Sequence, residues 1–390
     1  MNAQPSLRLR AHTFAAPSIA AERLFARPDA ICFWDGAVAF GEAARIDAAG
    51  ADRLAELRRR AEALYAVIDG PAPPLYGGIA FAPGFADAAW AGFADATFVL
   101  PRWLLRDGTL TYVGPGAPPA AELRAFVDPP PEPGPPGADR IERAPRADFT
   151  ALVGEARAEI RAGRAEKIVV ARRTSVWGRF DDAGVLARLP EGVARFAFRR
   201  DRATFVGATP ERLLKKTGPV ILTEAIAGTS AAGTFGDKDR AEHAPVVRAI
   251  VDGLAAAGAR AEVAPAAVRV LPDLAHIVTP IRARLAAPAH VLDVAAALHP
   301  TPAVGGTPRD AAIAWIRAHE APRGWYTGAV GWIDAAGDGE LCVALRCALL
   351  TPERAILFAG AGIVAASEPD AEYDETVLKE RTLLRALGVA

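Results

Sequence analysis

AILFAGAGIVAASEPDAEYDETVLKE, residues 355–380, begins as an apolar segment and ends with charged residues at helical spacing. Its first ten residues predict a buried strand, and a helix is predicted from about Glu372 to the end of the chain. Just before it, GWYTGAVGWID (324–334) and GELCVALRCALL (339–350) predict two further strands. Strands in succession followed by a helix favour an α+β fold over regular βαβ alternation.

The preceding part of the chain shows the same grouping. KIVVARRTSV (167–176) and PVILTEAIAG (219–228) predict single strands, and residues 195–209 predict a β-hairpin. Apolar residues at helical spacing predict helices that begin at Asp148 and at about Asp239. These helices again lie between groups of strands.

A proline- and glycine-rich stretch runs from Gly114 to Gly137. Such a composition cannot form the interior of a helix or strand, so it predicts an extended connection. We therefore expect one domain over residues 1–390. It would consist of an N-terminal part (1–113), the connection (114–139) and a part that carries the motifs (140–390).

Composition excludes several classes of protein. The chain has 45 basic and 46 acidic residues and a formal net charge of −1, which argues against a general affinity for nucleic acid or anionic lipid. No apolar run approaches the ~20 residues that span a bilayer, and the N-terminus lacks the apolar core of a secretory signal. Three cysteines cannot form a disulfide scaffold or an all-cysteine zinc site. The sequence therefore predicts a soluble, cytoplasmic protein.

Only five of the basic residues are lysines. Arginine stays protonated, whereas a desolvated lysine can lose its charge and act as a base. Lys167 begins an apolar strand, where it could be such a base or could extend its ammonium group into solvent from the strand end. Lys215 and Lys216 lie in the turn-like segment LLKKTGP and are expected to be solvated.

Two predicted helices each carry a pair of acidic residues three positions apart. The pairs are Asp239 with Glu242 and Glu372 with Glu375. Residues at this spacing lie on one helical face. Four oxygen ligands without nitrogen or sulfur match Mg²⁺. Two solvated acidic faces are the alternative interpretation.

Several motifs, in this order along residues 140–390, resemble those of the chorismate-utilising enzymes, which include isochorismate, salicylate, anthranilate and aminodeoxychorismate synthases. They are Lys167, PER (210–212), AGT (227–229), HPTPAVGG (299–306), RGWYTGAVGW (323–332) and AGAGIVAASEPDAEYDET (359–376). The resemblance implies two large, mainly antiparallel sheets packed as a sandwich with helices on the outside. It also implies that chorismate is the substrate.

The resemblance implies two catalytic roles. Lys167 would be the general base that activates the water attacking C2 of chorismate, and Glu211 would be the general acid that protonates the departing C4 hydroxyl. A carboxylic acid can do this at neutral pH only where a dry environment raises its pKa. Synthases that use ammonia lack this lysine, so Lys167 favours water as the nucleophile.

The resemblance also implies the binding residues. Glu242 and Glu375 would ligate Mg²⁺ directly, while Asp239 and Glu372 would hold metal-bound waters. Arg346 and Tyr326 would bind the enolpyruvyl carboxylate, for which a guanidinium is a natural bidentate partner. A surface arginine and a core histidine are the alternatives for Arg346 and His276. The full substrate-binding set is Gly228, Thr229, His276, Ala303, Tyr326, Arg346, Gly362 and Lys379.

Two features indicate the type of synthase. Salicylate synthases have threonine where this chain has Ala303, and GDGE (337–340) resembles the isochorismate type. We therefore expect reversible conversion of chorismate to isochorismate, for siderophore, menaquinone or salicylate biosynthesis. The protein would be a monomer without a glutaminase subunit. Salicylate synthase, anthranilate or aminodeoxychorismate synthase, and a non-catalytic relative remain the alternatives.

Overall fold

The computed structural model describes residues 8–16, 19–126, 128, 130–132, 134–230, 235–270 and 275–389, without the side chains of residues 229–230 and 237–242. The strands are β1 (Leu9–Ala15), β2 (Ala30–Trp34), β3 (Ala37–Ala48), β4 (Ile68–Asp69), β5 (Leu75–Ile79), β6 (Ala96–Arg106), β7 (Thr109–Gly114), β8 (Ala138–Arg143), β9 (Lys167–Gly178), β10 (Ala194–Arg200), β11 (Ala203–Thr209), β12 (Arg212–Thr217), β13 (Val220–Ser230), β14 (Ala259–Val263), β15 (Ala267–Val270), β16 (Ala275–Leu285), β17 (Gly306–Thr307), β18 (Ala329–Ile333), β19 (Gly339–Val343), β20 (Cys347–Leu350) and β21 (Arg354–Ile363). The helices are α1 (Ala21–Leu24), α2 (Arg53–Tyr65), α3 (Ala120–Arg124), α4 (Arg146–Arg161), α5 (Asp182–Ala187), α6 (Asp237–Ala256), α7 (Val291–Leu298), α8 (Arg309–His319) and α9 (Pro369–Ala386), with a 3₁₀ turn at Ala88–Trp90.

The strands form two large sheets that share the long strands β3 and β6. The first sheet has the order β4-β1-β7-β6-β3-β2-β10-β11-β20-β21-β9, with β8 and β17 also on β9. The second has the order β3-β6-β5-β18-β19-β12-β13-β16, with β14 and β15 side by side on β16. Among the described strands, the β1–β4 pair is parallel and the other pairs are antiparallel. The predicted α+β fold is confirmed.

Three groups of buried residues show how the layers pack. Side chains from both sheets, among them Phe205 and Val330, form one apolar cluster together with Trp325. The other face of the second sheet packs against α2, α6 and α7, and the other face of the first sheet packs against α1, α5 and α9. The architecture is therefore a β-sandwich with helices outside. Within the described ranges, none of the helices combines the length and apolar character that a bilayer-spanning segment needs.

Strands from both sides of the proline-rich stretch are neighbours in the sheets. In the first sheet β2 pairs with β10, and in the second β5 pairs with β18. Within the stretch itself, residues 120–124 form the short helix α3, contrary to the prediction of a fully extended connection. These five residues include neither proline nor glycine, so nothing in them opposes a helical turn.

The segment GELCVALRCALL is two strands, not the predicted one. Strand β19 ends at Val343 and β20 begins at Cys347. Between them Arg346 has a φ of +46°, which ends the extended conformation. Cys342 and Cys347 consequently lie on different strands.

Lys216 is buried, so the expectation that it is solvated was wrong. The segment that holds it is strand β12, which pairs with β19. Lys216 Nζ donates to the Gly337 carbonyl at 3.2 Å and lies 2.5 Å from the Asp338 carboxylate. Its neighbour Lys215 is half-exposed and pairs with Glu340.

Candidate active site

One cavity, with a volume of about 750 Å³ including its mouth, collects most of the predicted site residues. Its size is in the range of small-molecule binding sites. Ten of the fourteen predicted residues line it: Lys167, Glu211, Gly228, His276, Ala303, Tyr326, Arg346, Gly362, Glu375 and Lys379. The side chains of Thr229, Asp239 and Glu242 lie outside the described part of the structure. Glu372 is buried on α9 but is not among the residues that line the cavity.

Lys167 is the first residue of β9 and is only 6% exposed. It pairs with Thr307 of β17, and the next two residues of β9 pair with Ile363 and Gly362 of β21. These strands flank the start of β9, and the lysine side chain lines the cavity. The alternative of a lysine that extends into solvent from the strand end therefore does not hold.

Glu211 lies between β11 and β12, and its backbone is tightly held. Its carbonyl accepts a hydrogen bond from Val343 N at 3.0 Å, and its own N–H donates to Thr209 Oγ1 at 3.3 Å. The Thr209 hydroxyl in turn donates to the Val343 carbonyl at 2.6 Å. The β11–β12 connection and the end of β19 thus fix where the Glu211 side chain enters the cavity.

Burial raises the pKa of Glu211 to about 8. The nearby carboxylate of Glu224 also raises this pKa, while the charges of Lys167, Lys379 and Arg269 lower it. Removal from water dominates because it penalises the ionised carboxylate. Glu211 therefore keeps its proton at neutral pH, which is the property predicted for the general acid.

His276 is held in one tautomer by two neighbours. Its Nδ1 lies 3.3 Å from the Gly228 carbonyl, and its Nε2 lies 3.4 Å from Arg346 Nη2. Because a carbonyl only accepts and a guanidinium only donates, the proton is on Nδ1 and Nε2 is the acceptor. Burial, together with the positive charges of Arg346 and Lys379, lowers the pKa of His276 to about 3. The imidazole is therefore neutral at physiological pH.

The backbone is unusual at three positions on the cavity wall. Gly228 has a φ of +78° at a bulge, where the register between β13 and β16 shifts. Arg346 and Thr327 have φ values of +46° and +57°. Side-chain-bearing residues adopt this left-handed conformation at a cost and are enriched at functional sites. Arg346 thus lines the cavity from the break before β20.

Aromatic rings form one wall of the cavity. Tyr326 stacks on Phe358 with ring centroids 5.0 Å apart and an angle of 16° between the planes. Both residues line the cavity together with Ala303 and Val304. This side can therefore accommodate an apolar ring face, while Arg346 supplies a cation for an anionic group.

Lys379 forms an ion pair with Glu375 on the cavity side of α9. The Lys379 ammonium lies 2.6 Å from Glu375 Oε1 and donates to the Gly360 carbonyl at 2.8 Å. Glu375 is therefore the side-chain partner of this lysine in the structure. The pair places one positive and one negative charge at the cavity wall.

The described carboxylates agree with the ligand type expected for Mg²⁺. Glu372 and Glu375 lie one helical turn apart in α9, and Glu375 lines the cavity. Asp239 and Glu242 belong to the first turns of α6, although their side chains are not described. Among the side chains that are described, no three His, Cys, Asp or Glu residues come together. The metal site therefore stays a prediction.

A buried ion pair that the sequence interpretation missed supports the cavity walls. Arg323 and Glu320 are each 2% exposed and lie 2.9 Å apart. Arg323 donates to the carbonyls of Val304 and Val169, and Glu320 accepts from Ala171 N. The spacing of three residues was the available signal, but it did not show that both side chains are buried.

Sequence comparison finds similar proteins over most of the chain. The model of a family described as "Chorismate binding enzyme" matches residues 121–388. The chain is 39% identical to a salicylate biosynthesis isochorismate synthase of Pseudomonas aeruginosa, over 90% of this chain and 82% of that protein. It is 32% identical to the isochorismate synthase MenF of Bacillus subtilis, over 81% of this chain and 75% of the relative.

Solved structures with the same fold are also found. The menaquinone-specific isochorismate synthase MenF of Escherichia coli has a TM-score of 0.81 and 26% identity, with 98% of this chain and 95% of that chain covered. Anthranilate synthase component I of Streptococcus pneumoniae has a TM-score of 0.68 at 20% identity, with 98% and 93% covered, and shares the fold.

Proposed function

The chain belongs to the chorismate-binding enzyme family, and on this premise we propose that it is an isochorismate synthase that converts chorismate to isochorismate. One observation carries the proposal. A buried lysine, Lys167, and a buried carboxyl group that keeps its proton, Glu211, line the same cavity. A base and an acid are both needed to add one hydroxyl group and remove another. The family relatives named isochorismate synthase support the same conclusion.

The reaction exchanges one water molecule for another. The step starts from the neutral amine of Lys167, which accepts a proton from the incoming water as the water oxygen forms a bond to C2 of chorismate. The ring double bond then migrates and the C4–O bond breaks, while Glu211 donates its proton to the departing hydroxyl, which leaves as water. One proton is taken up and one is released, so each turnover exchanges the protonation states of the two residues.

The other cavity residues bind and orient the dianionic substrate. Arg346 donates to the enolpyruvyl carboxylate, and Tyr326 lies beside it on the wall formed with Phe358. His276 stays neutral and accepts from the Arg346 guanidinium, which limits how that group can rotate. Positioning of this kind lowers the entropic part of the barrier.

Magnesium belongs to this proposal as a cofactor. Glu242 and Glu375 would hold the ion directly, and Asp239 and Glu372 would hold it through water. When bound, Mg²⁺ supplies positive charge that neutralises the ring carboxylate of the substrate. The oxygen-only ligand set and the position of Glu375 at the cavity wall support this assignment.

Ala303 distinguishes the proposed reaction from salicylate formation. This residue lines the cavity, and threonine is the residue expected there in a salicylate synthase. Alanine presents only a methyl group to the cavity at this position. The proposed product is therefore isochorismate without loss of the enolpyruvyl side chain.

A product assay tests the proposal. Purified protein is incubated with chorismate and Mg²⁺, and products are separated by chromatography and identified by their ultraviolet spectra. We expect isochorismate, no pyruvate in a coupled lactate dehydrogenase assay, and no added fluorescence with ammonium. Stoichiometric pyruvate would identify a salicylate synthase, fluorescence that requires ammonium an anthranilate synthase, and absence of any product a non-catalytic relative.

A further inference from the structure

The segment Pro210–Arg212 separates two cavities. Glu211 lines the reaction cavity, whereas Pro210 and Arg212 line a second, polar cavity on the other side of the segment. Glu224 of β13 and Arg269 of β15 also line this second cavity. The proposed general acid is therefore supported from a side that the substrate does not reach.

Glu224 and Arg269 form a close ion pair that contacts the backbone on both sides of Glu211. Arg269 Nη1 and Nη2 lie 2.9 and 2.6 Å from the two Glu224 carboxylate oxygens. Arg269 Nη1 also donates to the Pro210 carbonyl at 2.8 Å, and Arg212 N donates to Glu224 Oε1 at 3.2 Å. The pair thus binds the peptide group before Glu211 and the one after it.

The pair also places two opposite charges behind the acid. Glu224 is nearly buried, with 10% of its side chain exposed, while that of Arg269 is 37% exposed. The carboxylate of Glu224 raises the pKa of Glu211, and the guanidinium of Arg269 lowers it. On the cavity side, Lys167 of β9 and Lys379 of α9 lower it as well. Removing one member of the pair therefore leaves the charge of the other uncompensated.

We propose that the Glu224–Arg269 ion pair is a positioning pair for Glu211, which holds the acid in the reaction cavity and sets the charge behind it. This inference rests on the proposed role of Glu211 as the general acid. Neither Glu224 nor Arg269 lines the reaction cavity, so their effect on turnover is transmitted through the backbone and the electrostatic field. Such a role affects the chemical step more than substrate affinity.

Single substitutions of the two residues should shift the pH dependence in opposite directions. In Glu224→Gln the remaining positive charge of Arg269 favours ionisation of Glu211. The high-pH limb of the pH profile of kcat/KM should therefore shift to lower pH by about one unit. In Arg269→Met the unpaired Glu224 carboxylate opposes ionisation of Glu211. The high-pH limb should therefore shift to higher pH, by only about half a unit because the site of Arg269 is partly exposed. Both variants should lower kcat more than they raise KM.

Arg269→Lys separates charge from geometry. A lysine keeps the positive charge but cannot contact Glu224 and the Pro210 carbonyl with a planar fork. We expect this variant to keep the high-pH limb of the wild-type enzyme. Its kcat should be about three- to tenfold lower, a loss comparable to that of one ordinary hydrogen bond. Thermal unfolding measured on each variant reports whether the protein is folded.

Glu340→Gln is the matched control. Glu340 lines the same polar cavity and pairs with the side chains of Arg212 and Lys215, but its carboxylate is not hydrogen-bonded to the backbone of residues 210–212. This variant should keep the wild-type kcat and pH limb. An equal effect in Glu340→Gln would mean that any charge in the second cavity acts this way, and would overturn the specific assignment.

The possible failures are distinguishable. If the wild-type protein forms no isochorismate, the proposed function is wrong and this inference falls with it. If the wild type is active but Glu224→Gln and Arg269→Met keep its high-pH limb, or both shift it in the same direction, the positioning role of the pair is wrong. The proposed function is then unaffected. The supporting result is a shift of the high-pH limb in opposite directions in the two folded single variants. The double variant Glu224→Gln with Arg269→Met should then restore the wild-type limb.

Discussion

Glu375 Oε1 lies 2.6 Å from the ammonium group of Lys379, one helical turn further along α9, and both side chains line the reaction cavity. The Glu375 carboxylate faces the cavity and already attracts the ammonium group of Lys379. A carboxylate in such a position is suited to bind a metal ion as well. The Lys379 ammonium is anchored to the Gly360 carbonyl at the same time. Glu375 is thereby held in one orientation before the substrate arrives.

Glu375→Gln should raise the Mg²⁺ concentration needed for half-maximal activity by at least about tenfold, the loss typical when a metal site is impaired. An amide keeps the shape of the side chain but removes the charge that attracts the ion. Glu242→Gln, at the partner position on α6, should have the same effect. The measurement is a Mg²⁺ titration of the initial rate at saturating chorismate.

Asp374→Asn is the control for this titration. Asp374 is on the same helix, but its side chain is 61% exposed and pairs with Arg146. Its titration curve should match that of the wild type. An unchanged curve for Glu375→Gln or Glu242→Gln would remove that residue from the metal site.

Lys167→Ala should reduce kcat by about 10²–10⁴-fold, the usual contribution of a positioned general base. Binding of chorismate in the presence of Mg²⁺, measured by calorimetry, should persist because Arg346 and the aromatic wall are intact. Lys215→Ala, which removes a half-exposed lysine paired with Glu340 outside the cavity, should turn over normally. Full activity of Lys167→Ala would place the base elsewhere.

The motifs that carry the resemblance to the chorismate-utilising enzymes were sufficient to predict most residues of the reaction cavity that lie inside them. Lys167 opens an apolar strand, and Glu211 follows a proline between two strands. In both cases the neighbouring residues largely determine the local conformation. The paired acids in α9 were predictable for the same reason, since helical spacing alone places them on one face.

The remaining features depend on contacts between distant parts of the chain. Lys216 is buried because β12 pairs with β19, more than a hundred residues away. Glu224 and Arg269 meet because β13 and β15 both pair with β16. The left-handed conformation of Arg346 is likewise set by the pairing of β19 and β20 with their neighbours, which no local pattern encodes.

Arg346→Lys should raise the KM for chorismate about tenfold, since a point charge cannot make the paired hydrogen bonds that a guanidinium makes to a carboxylate. The turnover number should change less, because Lys167 and Glu211 remain in place. His276→Ala should raise KM by a smaller factor, since it removes an acceptor that orients Arg346. Equal losses of kcat and kcat/KM in both variants would contradict a role in substrate binding.

The neutral state of His276 gives a separate expectation. Its pKa of about 3 means that its ring should show no titration between pH 5 and pH 9 in a nuclear magnetic resonance experiment. The pH dependence of activity in that range should then persist in His276→Ala. A His276 signal that titrates near pH 6.5 would mean that the ring is solvated or has a different partner.

Glu211→Gln should abolish turnover yet make the protein more stable at high pH. The carboxyl group has an ordinary pKa of 4.5 in the unfolded chain and about 8 in the folded one. Below pH 4.5 it is protonated in both states and costs nothing. Between pH 4.5 and 8 the carboxyl group ionises in the unfolded state but not in the folded one, so the stability of the wild type falls as the pH rises. Above pH 8 the folded state carries the full penalty of a buried carboxylate. This penalty is a few kcal/mol, at about 1.4 kcal/mol for each unit of pKa shift. Glutamine imitates the protonated acid at every pH.

Urea unfolding should therefore give similar free energies of unfolding for the wild type and Glu211→Gln at pH 4.5, and a higher one for Glu211→Gln at pH 9. A constant difference across this range would show that Glu211 is not held in a dry environment.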